Sequence, residues 1–311
     1  MAKRKVTQDP GTGTAYNYNS KRVINKNGSF NVIKRGLGWS YRNTYQALIK
    51  MSWSRFFLII FSYLFAINAC FGLLIALIGV DGLSGITPVN FVKDFLHAYY
   101  FSFQTFTTVG YGAIAPQSDI LHVIAIIDAI AGWLSFALIT GILYGRFSKP
   151  SARLWFSEKA LVAPYRDGIN SLQFRIANMR KSTLIEMEAS LILMTIGQKD
   201  GKPIRQFTPL DLERERILFF PLNWTIVHPI DDKSPLHGKG KEDFAKMQTE
   251  LLILIKGFDD TFSQTVHARY SYTFDEIVWG AKFVSAYSTG ESGDEVIDFD
   301  KMDVYEDREL L

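Results

Sequence analysis

The sequence predicts two structural classes in one chain: an α-helical membrane unit with two spans, then an all-β domain built as a two-layer sandwich. Three observations carry this reading. Residues 56–78 run for 23 positions without a charged side chain. Residues 120–147 form a second apolar run that closes on Arg146. From residue 148 the pattern changes to short alternating segments separated by Gly, Pro and Asp, which is strand punctuation. A mean hydropathy of +0.05 hides this split.

The chain has 311 residues, enough for one or two domains. Its net charge of +3 is too small to point to nucleic acid. The placement of charge is more telling. Residues 1–55 carry eleven Lys or Arg and a single acid, Asp9, whereas residues 79–119 carry one base, Lys93, against Asp81, Asp94 and Asp119. Basic flanks stay in the cytoplasm, so the N-terminus is expected there, and two spans return the rest of the chain to the same side. Two buried helices of a soluble protein would not explain that asymmetry. Cys70 is the only cysteine, so no intrachain disulfide can form. The opening "MAKRKVTQDPGTGTAYNYNS" has no apolar core after its charges and is not read as a cleaved signal.

The elements follow in order. Residues 1–38 form an N-terminal segment. Over 39–55, Tyr41, Tyr45, Leu48, Ile49 and Trp53 interleave with Arg42, Lys50 and Arg55. An apolar face with aromatic and basic edges suits a helix lying in the membrane interface. Residues 56–78 then reach about 35 Å at 1.5 Å per residue, enough to cross a hydrocarbon core of about 30 Å. Residues 95–106, "FLHAYYFSFQTF", are too few to cross. A short helix that enters the membrane and leaves as extended chain is a re-entrant loop, and its C-terminal dipole end would point at the membrane centre.

The returning chain reads Thr107-Thr108-Val109-Gly110-Tyr111-Gly112. Glycine accepts positive φ without steric cost, so successive carbonyls can turn to one side. Irregular backbone at membrane depth is tolerated only where it lines something polar. Rings of carbonyls can replace the hydration shell of potassium, and one chain supplies a quarter of each ring, so a homotetramer is expected. The ion sites are expected at the carbonyls of Thr108, Val109, Gly110 and Tyr111 and the Thr108 hydroxyl, with Gly112 closing the motif and the Tyr111 ring bracing the loop from behind. At these residues "TTVGYG" resembles the selectivity filter of potassium channels.

In the second span, residues 120–147, Asp128 is a carboxylate in an apolar run, costly unless it faces water or a partner. Phe136, Thr140 and Tyr144 recur every four residues and fall near one helical face. Periodicity does not orient a helix that is apolar all round, so lipid-facing and pore-facing placements stay open here. Gly132 and Gly141 are candidate bending points. No Arg-every-third helix is present, so no voltage sensor of that kind is expected.

Residues 148–285 read as the β-sandwich. "SLQFRIANMR" alternates Leu172, Phe174 and Ile176 with polar residues. "LIEMEASLILMTIG" sets Ile185, Met187, Ala189, Leu191 and Leu193 on one face and Glu186, Glu188 and Ser190 on the other. Only "GKEDFAKMQ" reads as a short helix. Residues 286–311 follow as an acidic tail, nine acids against two bases from Glu291 onward, expected to be mobile.

"FRIANMRKSTLIE", "WTIVHPIDDKSPL" and "EIVWGAKF" resemble the cytoplasmic domain of inward-rectifier potassium channels. "NGSFNVIKRGL" and "YQALIKMSWSRF" look like the N-terminal strand and the slide helix of the bacterial branch, so the chain resembles a prokaryotic, KirBac-type member over roughly residues 22–285. The resemblance implies a two-transmembrane-helix potassium channel pore with a C-terminal cytoplasmic immunoglobulin-like β-sandwich. It also implies a multi-pass protein of the cell (inner) membrane with both termini cytoplasmic, with no cofactor beyond the permeant potassium ion. The single Cys rules out the extracellular disulfide of eukaryotic members, and "RFSKPSAR" is sparser than their basic cluster.

Site expectations follow residue by residue. Prokaryotic relatives carry Glu at the place of Asp128, and many relatives carry Glu in the pore helix where this chain has Gln104. Ala113 follows the filter where other potassium channels have Asp. Asp128 with Gln104 and Thr107 is therefore the expected filter support. Phe136 aligns with the pore-lining position at which strongly rectifying relatives carry an acid, so weak rectification is expected, and Tyr144 lies near the expected bundle crossing. Phe136, Thr140 and Tyr144 are the expected gate, closing by dewetting. Glu186, with Glu188 beside it, is expected to line a cytoplasmic vestibule, against the alternative of an ordinary solvated sheet face. Arg55, Arg146, Lys149 and Arg153 are expected lipid contacts for anionic headgroups, against the alternative that they only fix topology.

A membrane-anchored β-domain enzyme or ligand-binding protein is the competing reading. No G-x-S-x-G, H-E-x-x-H or Cys-based metal set supports it, and the His at 97, 122, 228, 237 and 267 lack ligand-like spacing. His228 and His237 are read as serving strands and turns. No G-x-G-x-x-G follows a strand, which argues against a nucleotide-sensing domain.

Overall fold

The computed structural model describes residues 9–17, 21–36, 44–148, 152–180 and 182–311. The chain divides into two compact units, Arg35–Lys149 and a second made of Met1–Lys34 with Pro150–Leu311.

The first unit is helical. Helix α1 spans Thr44–Lys50 and α2 Trp53–Ile78; β1 (Leu83–Ser84) pairs with β2 (Ala115–Pro116) around α3 (Phe91–Phe106), and α4 covers Asp119–Phe147. With 26 and 29 residues, α2 and α4 reach roughly 39 and 44 Å, enough to cross a bilayer. Most of their apolar surface is uncovered within the chain. Such surface fits lipid and neighbouring subunits rather than water, and the chain is a multi-pass membrane protein.

Two helix boundaries differ from the sequence expectation. The interfacial helix expected over 39–55 is, in its described part, the seven residues of α1; Tyr41 and Arg42 lie outside the described residues. Ser52, extended at φ −61° and ψ 153°, breaks the chain there, which moves Trp53 and Arg55 into the first turn of α2. Helix α3 starts at Phe91 rather than 95, because the Asn90 side chain accepts the Lys93 N–H and Asp94 sits in the first turn, both favourable at a helix N-terminus. Sixteen residues give about 24 Å, still short of a span.

The second unit holds two five-stranded sheets. One runs β11 (Gln264–Thr273), β10 (Glu250–Asp259), β6 (Leu184–Lys199), β7 (Lys202–Leu210), with β8 (Arg216–Phe219) also on β6. The other runs β12 (Ile277–Trp279), β4 (Ala160–Pro164), β5 (Asn170–Asn178), β3 (Leu154–Phe156), with β9 (Asn223–Ile230) also on β5. Leu172, Phe174 and Ile176 of β5 and Leu191 of β6 meet Leu251 and Tyr272 in one core drawn from both sheets. Helix α5 is Lys241–Lys246, and its buried Phe244 joins that core.

Two sequence expectations are corrected here. The alternation of β6 breaks near its start: Lys256 pairs with Glu188 but Phe258 with Ile185, so Glu186 and Met187 both oppose Gly257. This β-bulge turns the strand by one position, so Leu184 enters the core and Ile185 does not. The polar positions Gln173 and Arg175 of β5 are buried as well. The Arg175 guanidinium lies 4.6 Å from the Phe283 ring centroid and donates to the Val284 carbonyl, just before the segment expected to be a mobile tail. That tail is folded: β13 (Ala281–Phe283) pairs with β16 (Tyr305–Asp307), and β14 (Tyr287–Thr289) with β15 (Glu295–Ile297). Met302 is 0% exposed and packs with Ala286 and Ala177. Asp303 accepts the Glu158 N–H at 2.7 Å, and Leu311 and Asn170 exchange two hydrogen bonds at 2.8 and 3.0 Å. Composition points to disorder, but a few spaced apolar anchors suffice to dock the segment.

The strand expected in residues 1–38 is present among the described residues only as two isolated bridges, Ala15 with Ile204 and Ile24 with Phe30. The segment is nevertheless held. The Val23 N–H reaches both oxygens of Glu250 at 2.9 Å, and the Ser271 hydroxyl donates to the Ile24 carbonyl at 2.6 Å. Burial raises the Glu250 carboxyl above its usual range, opposed by these hydrogen bonds.

Candidate functional site

Helix α3 ends by receiving the chain that follows it. The N–H of Thr108 donates to the Thr105 carbonyl at 3.1 Å, and those of Val109 and Gly110 donate to the Gln104 carbonyl at 2.9 and 3.3 Å. The Thr107 hydroxyl donates to the Phe103 carbonyl at 2.6 Å. The donors of this ribbon are thus tied back to the helix end. Among the described residues, the carbonyls of residues 108–112 accept no hydrogen bond.

The sign of φ alternates along the same ribbon: −82° at Thr107, then +60° at Thr108, +50° at Gly110 and +78° at Gly112, with Val109 and Tyr111 negative. Alternation of this kind turns successive peptide planes so that their oxygens share a side. Glycine is needed at 110 and 112 for this backbone, not for space, since an added Cβ would meet nothing within 4 Å. Thr107 to Gly112 are exposed within the chain, so the unpartnered carbonyls are free to meet a partner from outside it. The Tyr111 ring is 78% exposed within its own chain, so whatever it braces against comes from outside this chain.

Close helix contacts position the ribbon. A Cβ at Gly132 of α4 would lie 2.0 Å from the Phe106 carbonyl, and one at Gly72 of α2 would lie 2.8 Å from the Tyr99 Cα. Gly132, expected as a hinge, is therefore first a seat for the end of α3. Gly141 has open space around it.

Asp128 is 0% exposed, and among the described residues neither carboxylate oxygen meets a hydrogen-bond partner of good geometry. Beside it is a polar pair that pattern reading missed. The Ser102 hydroxyl donates to the Asn68 side-chain oxygen at 3.0 Å, and the Asn68 amide donates to the Leu64 carbonyl at 2.8 Å. Each helix contributes one polar residue, so no single window of sequence carries the signal. Gln104 contributes its backbone carbonyl to the ribbon as described.

On α4, Phe136 is 72% and Tyr144 73% exposed, with Thr140 exposed between them. The buried residues Leu121, Ile124, Asp128, Gly132 and Ser135 mark the packed side of the same helix. The three candidate gate residues thus lie on a surface that the chain itself leaves uncovered.

In the β-rich unit, Glu186 and Glu188 line one groove with Arg216 and Lys256. Glu186 sits at the bulge with φ +50°. Glu188 lies 3.3 Å from Arg216 and 3.9 Å from Lys256, so its charge is locally matched. Arg55 and Arg153 are exposed, and Lys149 lies outside the described residues. The Arg146 guanidinium donates to the carbonyls of Leu48, Ile49 and Met51. His228 serves its strand, as expected, with Nδ1 2.6 Å from the Asp211 carbonyl and Nε2 2.8 Å from the Ser234 hydroxyl. Burial holds its pKa below the ordinary 6.5. Among the described residues no cluster of His, Cys, Asp and Glu could hold a metal ion.

Comparison with known proteins places these features. A family model of the inward rectifier potassium channel C-terminal domain matches residues 154–308, and an ion channel model matches residues 59–149. Inward rectifier potassium channel Kirbac3.1 of Paramagnetospirillum magnetotacticum is 34% identical over 284 residues, covering 90% of this chain and 94% of that protein. Human inward rectifier potassium channel 4 is 28% identical over 304 residues, covering 84% of this chain and 67% of that protein. Human ATP-sensitive inward rectifier potassium channel 12 is 28% identical over 293 residues, covering 84% and 65%.

Proposed function

The chain belongs to the inward-rectifier potassium channel family, as a KirBac-type member and a potassium-selective channel, and from that premise we propose how its own residues conduct. Four copies surround one axis, each giving the carbonyls of Thr108, Val109, Gly110 and Tyr111 to rings that replace the hydration shell of potassium. The observation that carries this is the ribbon itself: the N–H groups of Thr108, Val109 and Gly110 are bound to the end of α3, its φ signs alternate and its carbonyls are free. Thr107 and Asp128 brace it from behind, with Gln104. Tyr111 packs against a neighbouring subunit.

Phe136, Thr140 and Tyr144 line the inner pore and close it by dewetting, with Gly141 as the bending point. Rectification is weak, since no acid stands at Phe136. The β-rich unit is an immunoglobulin-like sandwich on the cytoplasmic side, as are both termini, and the membrane is the cell (inner) membrane. Glu186 and Glu188 face its vestibule. With Arg216 and Lys256 beside them, they hold cations there only weakly. Arg55, Arg153 and Lys149 meet anionic lipid headgroups. Membership of an ion-channel family answers the competing enzyme reading.

Proteoliposome flux tests this reading. Vesicles are expected to take up rubidium at least tenfold faster than sodium, with block by barium. Equal sodium and rubidium uptake would remove the filter assignment.

A further inference from the structure

We propose that Asn68, on the span α2, is a positioning residue for the ribbon 108–112. Through Ser102 it sets the rotation of α3, and with it the carbonyls to which the ribbon's N–H groups are tied. The inference rests on the reading of that ribbon as the selectivity filter.

Asn68 stands in the middle of an apolar run and is buried, as is Ser102 of α3. A polar side chain inside a span needs a protein partner, because the membrane core supplies none. Asn68 has two. Its amide donates to the Leu64 carbonyl at 2.8 Å, one turn back on its own helix, which fixes the side chain. Its oxygen accepts the Ser102 hydroxyl at 3.0 Å.

The close contacts that flank this bond are steric. Gly72, one turn after Asn68, lets α2 lie against the backbone of Tyr99, and Gly132 of α4 seats the Phe106 carbonyl. Such packing limits how near the helices come, whereas a directional hydrogen bond also fixes rotation. Ser102 lies between the two contacts. Two positions further on, the Gln104 carbonyl accepts the N–H groups of Val109 and Gly110, and the Thr105 carbonyl accepts that of Thr108. At a backbone radius of about 2.3 Å, turning α3 by about 20° moves these carbonyls by roughly 0.8 Å. A binding constellation holds its geometry to within about 0.5 Å. Hydrogen bonds between membrane helices add only modest stability, so losing this one alters filter geometry more than assembly.

Rubidium and sodium uptake are measured in proteoliposomes for wild type, Asn68→Leu, Ser102→Ala, the double variant and Cys70→Ala. The melting temperature of each purified oligomer is measured beside them. Each single variant is expected to lower the rubidium-to-sodium ratio at least fivefold, with the melting temperature within about 5 °C of wild type. The double variant is expected within twofold of the worse single one, because both act through one contact. Cys70→Ala, at an exposed position of α2, is expected to keep the wild-type ratio. Ratios within twofold of wild type in both single variants, whatever their melting temperatures, would overturn the proposal. Losses that multiply in the double variant, or an equal loss in Cys70→Ala, would overturn it as well.

Hydrogen exchange supplies a readout that does not need conduction. In Ser102→Ala, a small truncation, the amides of residues 108–110 are expected to exchange at least tenfold faster, while those of Glu250–Asp259 keep their rates. Unchanged exchange at 108–110 would overturn the positioning role. If wild-type vesicles do not prefer rubidium to sodium, the filter reading falls and the exchange comparison alone decides the role of Asn68.

Discussion

Gly132 shows how little space the filter support allows. The Phe106 carbonyl stands 2.0 Å from where a Cβ would be, so Gly132→Ala must push the end of α3 off α4. Overpacking of this kind costs about 1–3 kcal/mol, and the displaced carbonyls would no longer share one axis. Rubidium uptake by Gly132→Ala is expected to fall more than tenfold. Uptake within twofold of wild type would refute the seat. His228 gives a pH signature at the same scale. Its folded pKa is depressed by burial, so its contribution is present above 6.5 and is lost as pH falls below that value. The raised Glu250 carboxyl acts with the opposite sign at lower pH, between its usual range and its folded value. Wild type is expected to lose more Tm than His228→Gln between about pH 8 and pH 5.5, the window set by the lowered histidine. Parallel slopes would remove His228 as the cause.

Elements differ in how much of them a sequence discloses. The spans and the ribbon after α3 were legible because their signals are local: an uncharged run long enough to cross, and two glycines in three positions after a helix too short to span. The β6 bulge was not, since it depends on which residues of β10 lie opposite, and that register is set across the sheet. The same holds for the Asn68–Ser102 pair beside Asp128, one polar residue from each of three helices. The acidic tail misled by composition, although Met302 and its neighbours anchor it against β5. Deleting residues 286–311 would remove β14, β15 and β16 and the packing of Met302 and Ala286 on Ala177. A truncated chain is expected to lose several degrees of Tm in its β-rich unit. A Tm equal to that of the full chain would return the tail to the mobile class.

At the scale of the whole molecule, one chain leaves its most informative surfaces uncovered. Tyr111, Phe136 and Tyr144 are each more than 70% exposed, which no membrane protein holding rings of that size against water would sustain alone. In the proposed four-fold assembly, Tyr111 is covered and Phe136 and Tyr144 turn toward a shared pore. Opening that pore by Phe136→Ala or Tyr144→Ala is expected to raise resting potassium flux severalfold, and unchanged flux in both would remove them as the gate. Bilayer recordings of the wild type are expected to show shallow block by polyamines, and Phe136→Asp steep block; steep block of the wild type would contradict the reading. The ribbon's carbonyls must also bind the ion they select, and binding to the assembled state alone stabilises it by mass action. The melting temperature of the purified oligomer, compared in potassium and in sodium at equal ionic strength, tests this most directly. A tetramer several degrees more stable in potassium, with the difference gone in Gly110→Ala, is the expected result. A monomer, or an oligomer equally stable in both salts, would contradict the account.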